Sequence, residues 1–217
     1  MVKKAFSLIE LIFAIVVLSV AFLAIPQLFQ ASSSNVEEVI KEEAAFQGIR
    51  TAGAILTYYW DESTSPDQNN SFILDTRAGD SELNRTSSTS IYRIGNQQLA
   101  KKRRFYTSIT YASDSMGLEA NDNNVYDDID DFNGKQETVT SSLVDMILQP
   151  RIFYISDSAN YSSNRITATI PTSALTNSTN IKMIELNVSD TNGNLILVYR
   201  TFACNIGYAP IKTETLK

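Results

Sequence analysis

The densest group of side chains that could do chemistry is a set of four aspartates within five residues. They are Asp127, Asp128, Asp130 and Asp131. They lie in the stretch 105–150, which holds nine acids and one base, Lys135. Crowded carboxylates repel one another, and calcium relieves such repulsion by binding carboxylate and carbonyl oxygens in flexible loops. The EF-hand spacing is absent, because Ile129 stands where its first aspartate is required. Two hypotheses remain, a calcium-binding loop and a solvated acidic loop.

A second residue of chemical interest is Glu10, which interrupts an apolar run over residues 6–25 that follows two lysines. Twenty helical residues rise about 30 Å, the thickness of a bilayer core. A carboxylate at that depth costs about 2.5–3.5 kcal/mol and usually marks function. Cleavage between Ala5 and Phe6 would place a positively charged chain terminus four residues before Glu10, where the two could pair.

Three kinds of segment begin with lysines and an apolar run: a plain signal anchor, a cleaved secretory signal peptide and a prepilin leader. A secretory signal requires a small-residue cleavage site after the apolar region, where this chain has Ile25, Pro26 and Gln27. A plain anchor has no use for Glu10. The residues Lys3-Lys4-Ala5 and Phe6-Ser7-Leu8-Ile9-Glu10-Leu11 with their apolar tail resemble the leader of type IV pilins and pseudopilins. The resemblance covers about the first thirty residues.

The resemblance implies a role for each matching residue. In that family a prepilin peptidase cuts before the phenylalanine and methylates the new amine, which here assigns the junction to Ala5 and Phe6 and the methylated amine to Phe6. The carboxylate pairs with the N-terminus of a neighbouring subunit during assembly, a role that falls on Glu10. Pro26 resembles the family's helix-kinking proline, displaced by about one position.

The elements predicted around these residues begin with a long helix. Residues 1–5 are predicted as the leader, 6–30 as the transmembrane and assembly half of the helix, and 31–217 as a soluble pilin-like domain. Val36, Val39 and Ile40 begin an amphipathic pattern that predicts helix to about residue 60. The polar patch over residues 32–35 is expected to fray.

Beyond residue 70 the pattern predicts short strands. The clearest pair covers residues 181–189 and 195–203, joined by a turn that contains Asn192-Gly193. Ile184, Leu186 and Val188 alternate with polar residues, which indicates one buried face. Further strands are predicted at residues 72–74, 91–94, 105–111, 151–155 and 165–170. The fold class is therefore α+β, with a long N-terminal helix packed on an antiparallel sheet.

Composition excludes several function classes. The chain has no histidine, which removes the commonest general base and zinc ligand, and its single cysteine, Cys204, cannot form an internal disulfide. The net charge of −6 argues against general nucleic-acid binding, although the run at residues 101–104 is basic. No nucleophile–base pair is visible, so we expect no enzyme and no required cofactor, and a calcium ion at the acidic loop is the one cofactor that the sequence leaves open.

Asparagine-x-Ser/Thr sites suggest glycosylation. Asn69 and Asn84 each follow an acid two residues earlier, a pattern that resembles the bacterial oligosaccharyltransferase sequon. Both lie in predicted loops, where acceptor sites are exposed. Asn187 has the same pattern but falls in a predicted strand.

Together these features predict a structural subunit, a minor pilin or pseudopilin of a type IV pilus or type II secretion-like filament. Its partners would be other pilin subunits, the prepilin peptidase and the inner membrane, with the soluble domain in the periplasm before assembly and at the cell surface afterwards. The alternative is a ligand-binding tip, an adhesin or DNA-uptake module, that the pilin helix delivers.

Overall fold

The computed structural model describes residues 8–64, 72–93, 104–119, 122, 125–141, 144–161 and 163–206. The chain divides into two compact units, Met1–Glu43 and Ala44–Lys217. Within the helix, the side chains of residues 10, 20, 21, 23, 24, 27–31 and 34 lie outside the description.

The helix α1 spans Leu8–Ile55 and contains Pro26. It includes residues 32–35, so the expected fraying there is wrong; serine costs only a few tenths of a kcal/mol in a helix, too little to stop one flanked by good helix formers. The helix ends at Ile55, about five residues earlier than predicted. Among the residues described, no helix is both long enough and apolar enough to cross a membrane, and the transmembrane prediction for residues 6–30 stays a prediction.

In the described part of the chain, four antiparallel strands form one sheet in the order β1-β2-β3-β4. The strands are β1 Glu137–Val139, β2 Met146–Ile155, β3 Ile181–Asp190 and β4 Leu195–Cys204. The predicted hairpin is confirmed, since β3 and β4 pair antiparallel with Ile184 opposite Thr201. Gly193 in its turn has a φ of 85°, a left-handed conformation that glycine adopts without strain. The α+β class with an antiparallel sheet is therefore confirmed.

Other strand predictions fail in part. Residues 72–74 and 105–111 form only isolated parallel bridges, Ile73 with Phe105 and Asp75 with Tyr111. The described part of 91–94 and the whole of 165–170 contain no strand. Residues 165–170 are all exposed, so β-propensity there has no packed surface to act on.

The core of the second unit forms where the end of α1 meets the residues of one sheet face. Ile55 and Trp60 belong to the same buried cluster as Ile152, Tyr154 and Ile184. Trp60 Nε1 donates to the carbonyl of Ala203 in β4 at 3.2 Å. This cluster brings the acidic loop against the sheet.

Candidate functional site

The predicted acidic loop is compact and largely buried. Asp130–Phe132 forms a short 3₁₀ turn, and Asp128, Asp130 and Asp131 are each no more than 2% exposed. The hypothesis of a solvated acidic loop is therefore wrong for these three residues. The reason is that Phe132 and Ile129 belong to the core cluster and carry the neighbouring aspartates inside with them.

Three of the six oxygens of these buried carboxylates accept hydrogen bonds from backbone N–H groups. Asp128 Oδ1 accepts from the amides of Asp130 at 2.8 Å and Asp131 at 3.2 Å, and its Oδ2 accepts from the amide of Glu62 at 2.8 Å. Asp131 Oδ2 accepts from the amide of Asp127 at 2.8 Å. These bonds replace water for groups that would otherwise be costly to bury.

A buried lysine supplies positive charge to the cluster. Lys182, on β3, is fully buried, and its Nζ donates to Asp130 Oδ1 and, at 2.6 Å, to the carbonyl of Trp60. Asp61 Oδ2 lies 3.8 Å from the same Nζ. Asp61 itself accepts from the backbone amides of Ser63 at 3.1 Å and Ser113 at 2.9 Å. The ammonium therefore donates to one carboxylate and lies within ion-pair distance of a second.

Two carboxylate oxygens of the cluster lack a hydrogen-bond partner, and two aromatic rings lie next to its lysine. Asp130 Oδ2 and Asp131 Oδ1 are buried and have no hydrogen-bond partner among the residues described. The ring centroids of Trp60 and Tyr154 lie 4.6 Å and 5.6 Å from Lys182 Nζ. The lysine therefore lies in a dry site walled by aromatic faces.

The electrostatics follow from burial and from the excess of acids. Burial, and next the nearby Asp130, raise the pKa of Asp128 to about 9. Burial also raises the pKa of Asp130, while Lys182 opposes that shift. Desolvation disfavours a charged carboxylate, whereas the backbone N–H groups that donate to both oxygens of Asp128 favour it.

A second group of carboxylates lies nearer the surface. Glu62, Glu119 and Asp122 place one oxygen each within 4.8 Å of one another, close enough to hold a metal ion together. Burial, and next a hydrogen bond with Asp122, raise the pKa of Glu119 to about 7. Oxygen ligands of this kind suit a hard cation such as calcium. None of these three is among the residues predicted to bind calcium.

The remaining predicted residues are placed as follows. Ala5, Phe6 and Asn69 lie outside the described residues. Glu10 lies on α1, and its side chain is not described. Asn84 is exposed directly after the 3₁₀ turn Ser81–Leu83, which leaves it accessible for the glycosylation that stays a prediction. Calcium binding at Asp127, Asp128, Asp130 and Asp131 also stays a prediction.

The sequence pattern missed Lys182 and Asp61 as members of the site. A signal was present, because the alternation that buries Ile184, Leu186 and Val188 continues backward to position 182 on the same face. A lysine on the buried face of a strand requires a carboxylate or carbonyl partner. Asp61 carried no comparable signal, since it stands in a loop-like composition.

Comparison with known families identifies the N-terminal segment. Residues 1–26 match the family model described as the prokaryotic N-terminal methylation motif. They are 26 of the 217 residues. No curated protein and no solved structure matches the chain. The match confirms the interpretation of Lys3 to Leu11 and the apolar run after it, and the chain therefore carries at residues 1–26 a prepilin leader of the type IV pilin kind.

Proposed function

We propose that this protein is a minor pilin or pseudopilin, a structural subunit that enters a bacterial extracytoplasmic filament through its N-terminal helix. The observation that carries the proposal is the methylation motif at residues 1–26. Such a motif is the substrate of a prepilin peptidase, and the processed protein assembles with other pilin-like subunits. The proposed role is structural and needs no catalytic group.

The apolar surface of the first unit supports assembly. Large apolar side chains are exposed along the first half of α1, and they include Leu8, Ile9, Leu11, Ile12, Phe13, Ile15, Val16, Val17, Leu18, Phe22 and Ile25. Exposed apolar patches of this extent mark contact with a membrane or with other proteins. In the proposal the inner membrane covers this surface before assembly, and the helices of neighbouring subunits cover it in the filament.

Glu10 gives the proposal its assembly step. It lies within the exposed apolar stretch, where an unpaired carboxylate is costly. Cleavage between Ala5 and Phe6 creates an amine on each subunit, and pairing of that amine with Glu10 of a neighbour removes the cost. Each pairing joins two subunits in a defined register.

The proposal is tested in the host with the variant Glu10→Ala. We expect the mature chain still to begin at a methylated Phe6 by N-terminal mass spectrometry, because the cleavage junction is unchanged. We expect the amount of the variant in sheared filaments to fall at least severalfold, because the pairing charge is gone.

The matched control is Glu38→Ala, which removes an exposed carboxylate from the same helix and leaves filament incorporation unchanged. Wild-type incorporation of Glu10→Ala at native expression contradicts the pairing role. A mature chain that begins at Met1, or beyond Ile25, contradicts the pilin function itself.

A further inference from the structure

We propose that Lys182 and Asp130 condense in the folded protein to form an intramolecular amide bond between Lys182 Nζ and Asp130 Cγ. The bond is independent of the proposed filament function. It would link β3 to the 3₁₀ turn Asp130–Phe132, two elements whose reacting residues stand 52 positions apart in the chain.

The first observation is contact between the reacting groups. Lys182 Nζ touches Asp130 Oδ1, and both side chains are 0% exposed. A nucleophile held against a carboxyl group in a rigid core reacts as an intramolecular partner, without the entropy cost of an encounter. Nζ is held on its other side by the carbonyl of Trp60 at 2.6 Å, which limits its freedom to turn away.

The second observation is the state of the Asp130 carboxyl group. Its Oδ2 is buried without a hydrogen-bond partner among the described residues. A buried carboxylate with one unsatisfied oxygen is poorly stabilised as an anion, and burying an ion pair costs desolvation free energy for both charges. Amide formation removes both charges and one oxygen from this site, so the dry surroundings favour the product.

The reaction balances without any further reactant. The ammonium of Lys182 carries three hydrogens, and Nζ already donates one of them to Asp130 Oδ1, so transfer of that hydrogen frees the amine lone pair and makes the carboxyl group neutral. Nζ attacks Asp130 Cγ, and the C–N bond forms as one C–O bond breaks. Two of the three hydrogens leave with that oxygen as one water molecule, and one hydrogen remains on the amide nitrogen. Nothing is oxidised or reduced.

The surroundings protect both the reaction and its product. The rings of Trp60 and Tyr154 enclose Lys182 Nζ at 4.6 Å and 5.6 Å, and they keep bulk water from the amine and from the finished amide. Asp128, a neighbouring acid that is 1% exposed, brings no positive charge to the site. A dry site in which acids outnumber a single amine differs from a surface ion pair, where water screens both charges.

The bond has a mechanical consequence for a filament subunit. The chain contains one cysteine and therefore no internal disulfide. A covalent link between residues 130 and 182 closes a loop across the core and restricts the unfolded chain as a disulfide does. A subunit under tension along its filament would then resist extension of the segment between those residues.

The test is peptide mapping by mass spectrometry of the full-length wild-type protein, extracted from the host membrane in detergent and then denatured and digested. Trypsin cuts after Arg104, Lys135, Arg165 and Arg200, and an acylated Lys182 is not cut. We expect residues 105–135 joined to residues 166–200 in one species, lighter than the sum of the two peptides by one water molecule. Fragmentation should locate the link at Asp130 and Lys182.

Two variants frame the result. Lys182→Arg should abolish the joined species, because a guanidinium does not form this bond, whereas Lys41→Arg, at the exposed pair with Glu37, should retain it. The wild-type map decides even where Lys182→Arg does not accumulate. Recovery of the wild-type protein as peptide 105–135 with normal cleavage after Lys182, or a water loss that maps to other residues, overturns the proposal.

Discussion

At the scale of single residues, the ion pair between Arg85 and Asp75 shows how strongly this fold depends on paired buried charges. Arg85 donates through Nε to Asp75 Oδ1 at 2.8 Å and through Nη2 to Oδ2 at 2.7 Å. The two side chains are 5% and 11% exposed. Asp75 Oδ2 also accepts from the amide of Thr110 at 3.1 Å, so one carboxylate holds two loop segments.

We expect Asp75→Ala to lower the free energy of unfolding by about 3–5 kcal/mol, because it leaves the buried Arg85 guanidinium uncompensated. The measurement is urea unfolding of the full chain in detergent, followed by the fluorescence of Trp60, the single tryptophan. The control is Arg151→Ala. The Arg151 side chain is 56% exposed and its Nη1 lies 3.5 Å from Glu185 Oε1, so this variant should lower the free energy of unfolding by about 1 kcal/mol or less. An equal loss of unfolding free energy in both variants would contradict the expected difference between the buried and the exposed ion pair.

At the scale of elements, two glycines show how the same substitution acts differently in a helix and in a loop. Gly53 lies in α1, and a Cβ built there meets no atom within 4 Å. A Cβ on Gly79 would lie 2.1 Å from Thr76 Oγ1 and 2.6 Å from Asn180 Nδ2. Asn180 is buried and donates to Asp157 Oδ2 at 2.5 Å, so it cannot move without breaking that bond.

Gly53→Ala should therefore raise the free energy of unfolding by about 0.5–1 kcal/mol through helix propensity. Gly79→Ala should lower it by about 1–3 kcal/mol, because the methyl group displaces a buried, hydrogen-bonded asparagine. Urea unfolding of both variants beside the wild type checks the opposite signs. Stabilisation by Gly79→Ala would show that the segment around Thr76 relaxes freely.

The strand β2 illustrates what a local pattern misses at this scale. The sequence predicts a strand only over residues 151–155, yet β2 begins at Met146 and includes Pro150. The carbonyl of Pro150 accepts from the amide of Gly134 at 2.8 Å, on the side of β2 that faces away from β3. Proline has no N–H, and the ring nitrogen of Pro150 faces that same side. Since β1 pairs only with Met146, Ile147 and Leu148, no hydrogen bond to β1 is lost at Pro150, and the ladder to β3 loses no donor.

At the scale of the whole molecule, calcium binding by the acidic loop is a prediction about overall stability. Binding to the folded state alone adds about 2.7 kcal/mol at a hundredfold excess over the dissociation constant. We expect the Tm of the full chain to be higher with calcium than with chelator at constant ionic strength. Magnesium is the control for charge screening, since it prefers tight octahedral geometry and retains its waters. Equal Tm values in the three conditions contradict calcium binding.

Two variants then separate the predicted site from the surface group of carboxylates. Asp127→Asn should remove the calcium-dependent rise in Tm where the ion binds the loop over residues 127–131. Glu119→Gln should remove the calcium-dependent rise in Tm if the ion binds Glu119 together with Glu62 and Asp122. One carboxylate oxygen from each of these three residues lies within 4.8 Å of the other two. A rise that survives Asp127→Asn but not Glu119→Gln contradicts the prediction at the aspartates.

The sequence by itself determined the features that are local in the chain. The leader at residues 1–26 is a linear motif, and a peptidase or a bilayer acts on it without reference to a distant segment. The β3–β4 hairpin follows from strand alternation and an Asn-Gly turn, both of which act over a few residues. Neither inference depends on how the rest of the chain folds.

Only the tertiary structure decided which charges meet. Asp130 and Lys182 are 52 residues apart, and Trp60, whose carbonyl binds the same ammonium, is 122 residues from Lys182. Their contact depends on strand register and on how the residues after α1 pack against one sheet face, and neither is written into the spacing of charges along the chain. The acidic run predicts either a solvated or a calcium-binding loop, and the folded protein buries Asp128, Asp130 and Asp131 beside Lys182, because core packing at Ile129 and Phe132 draws them out of water.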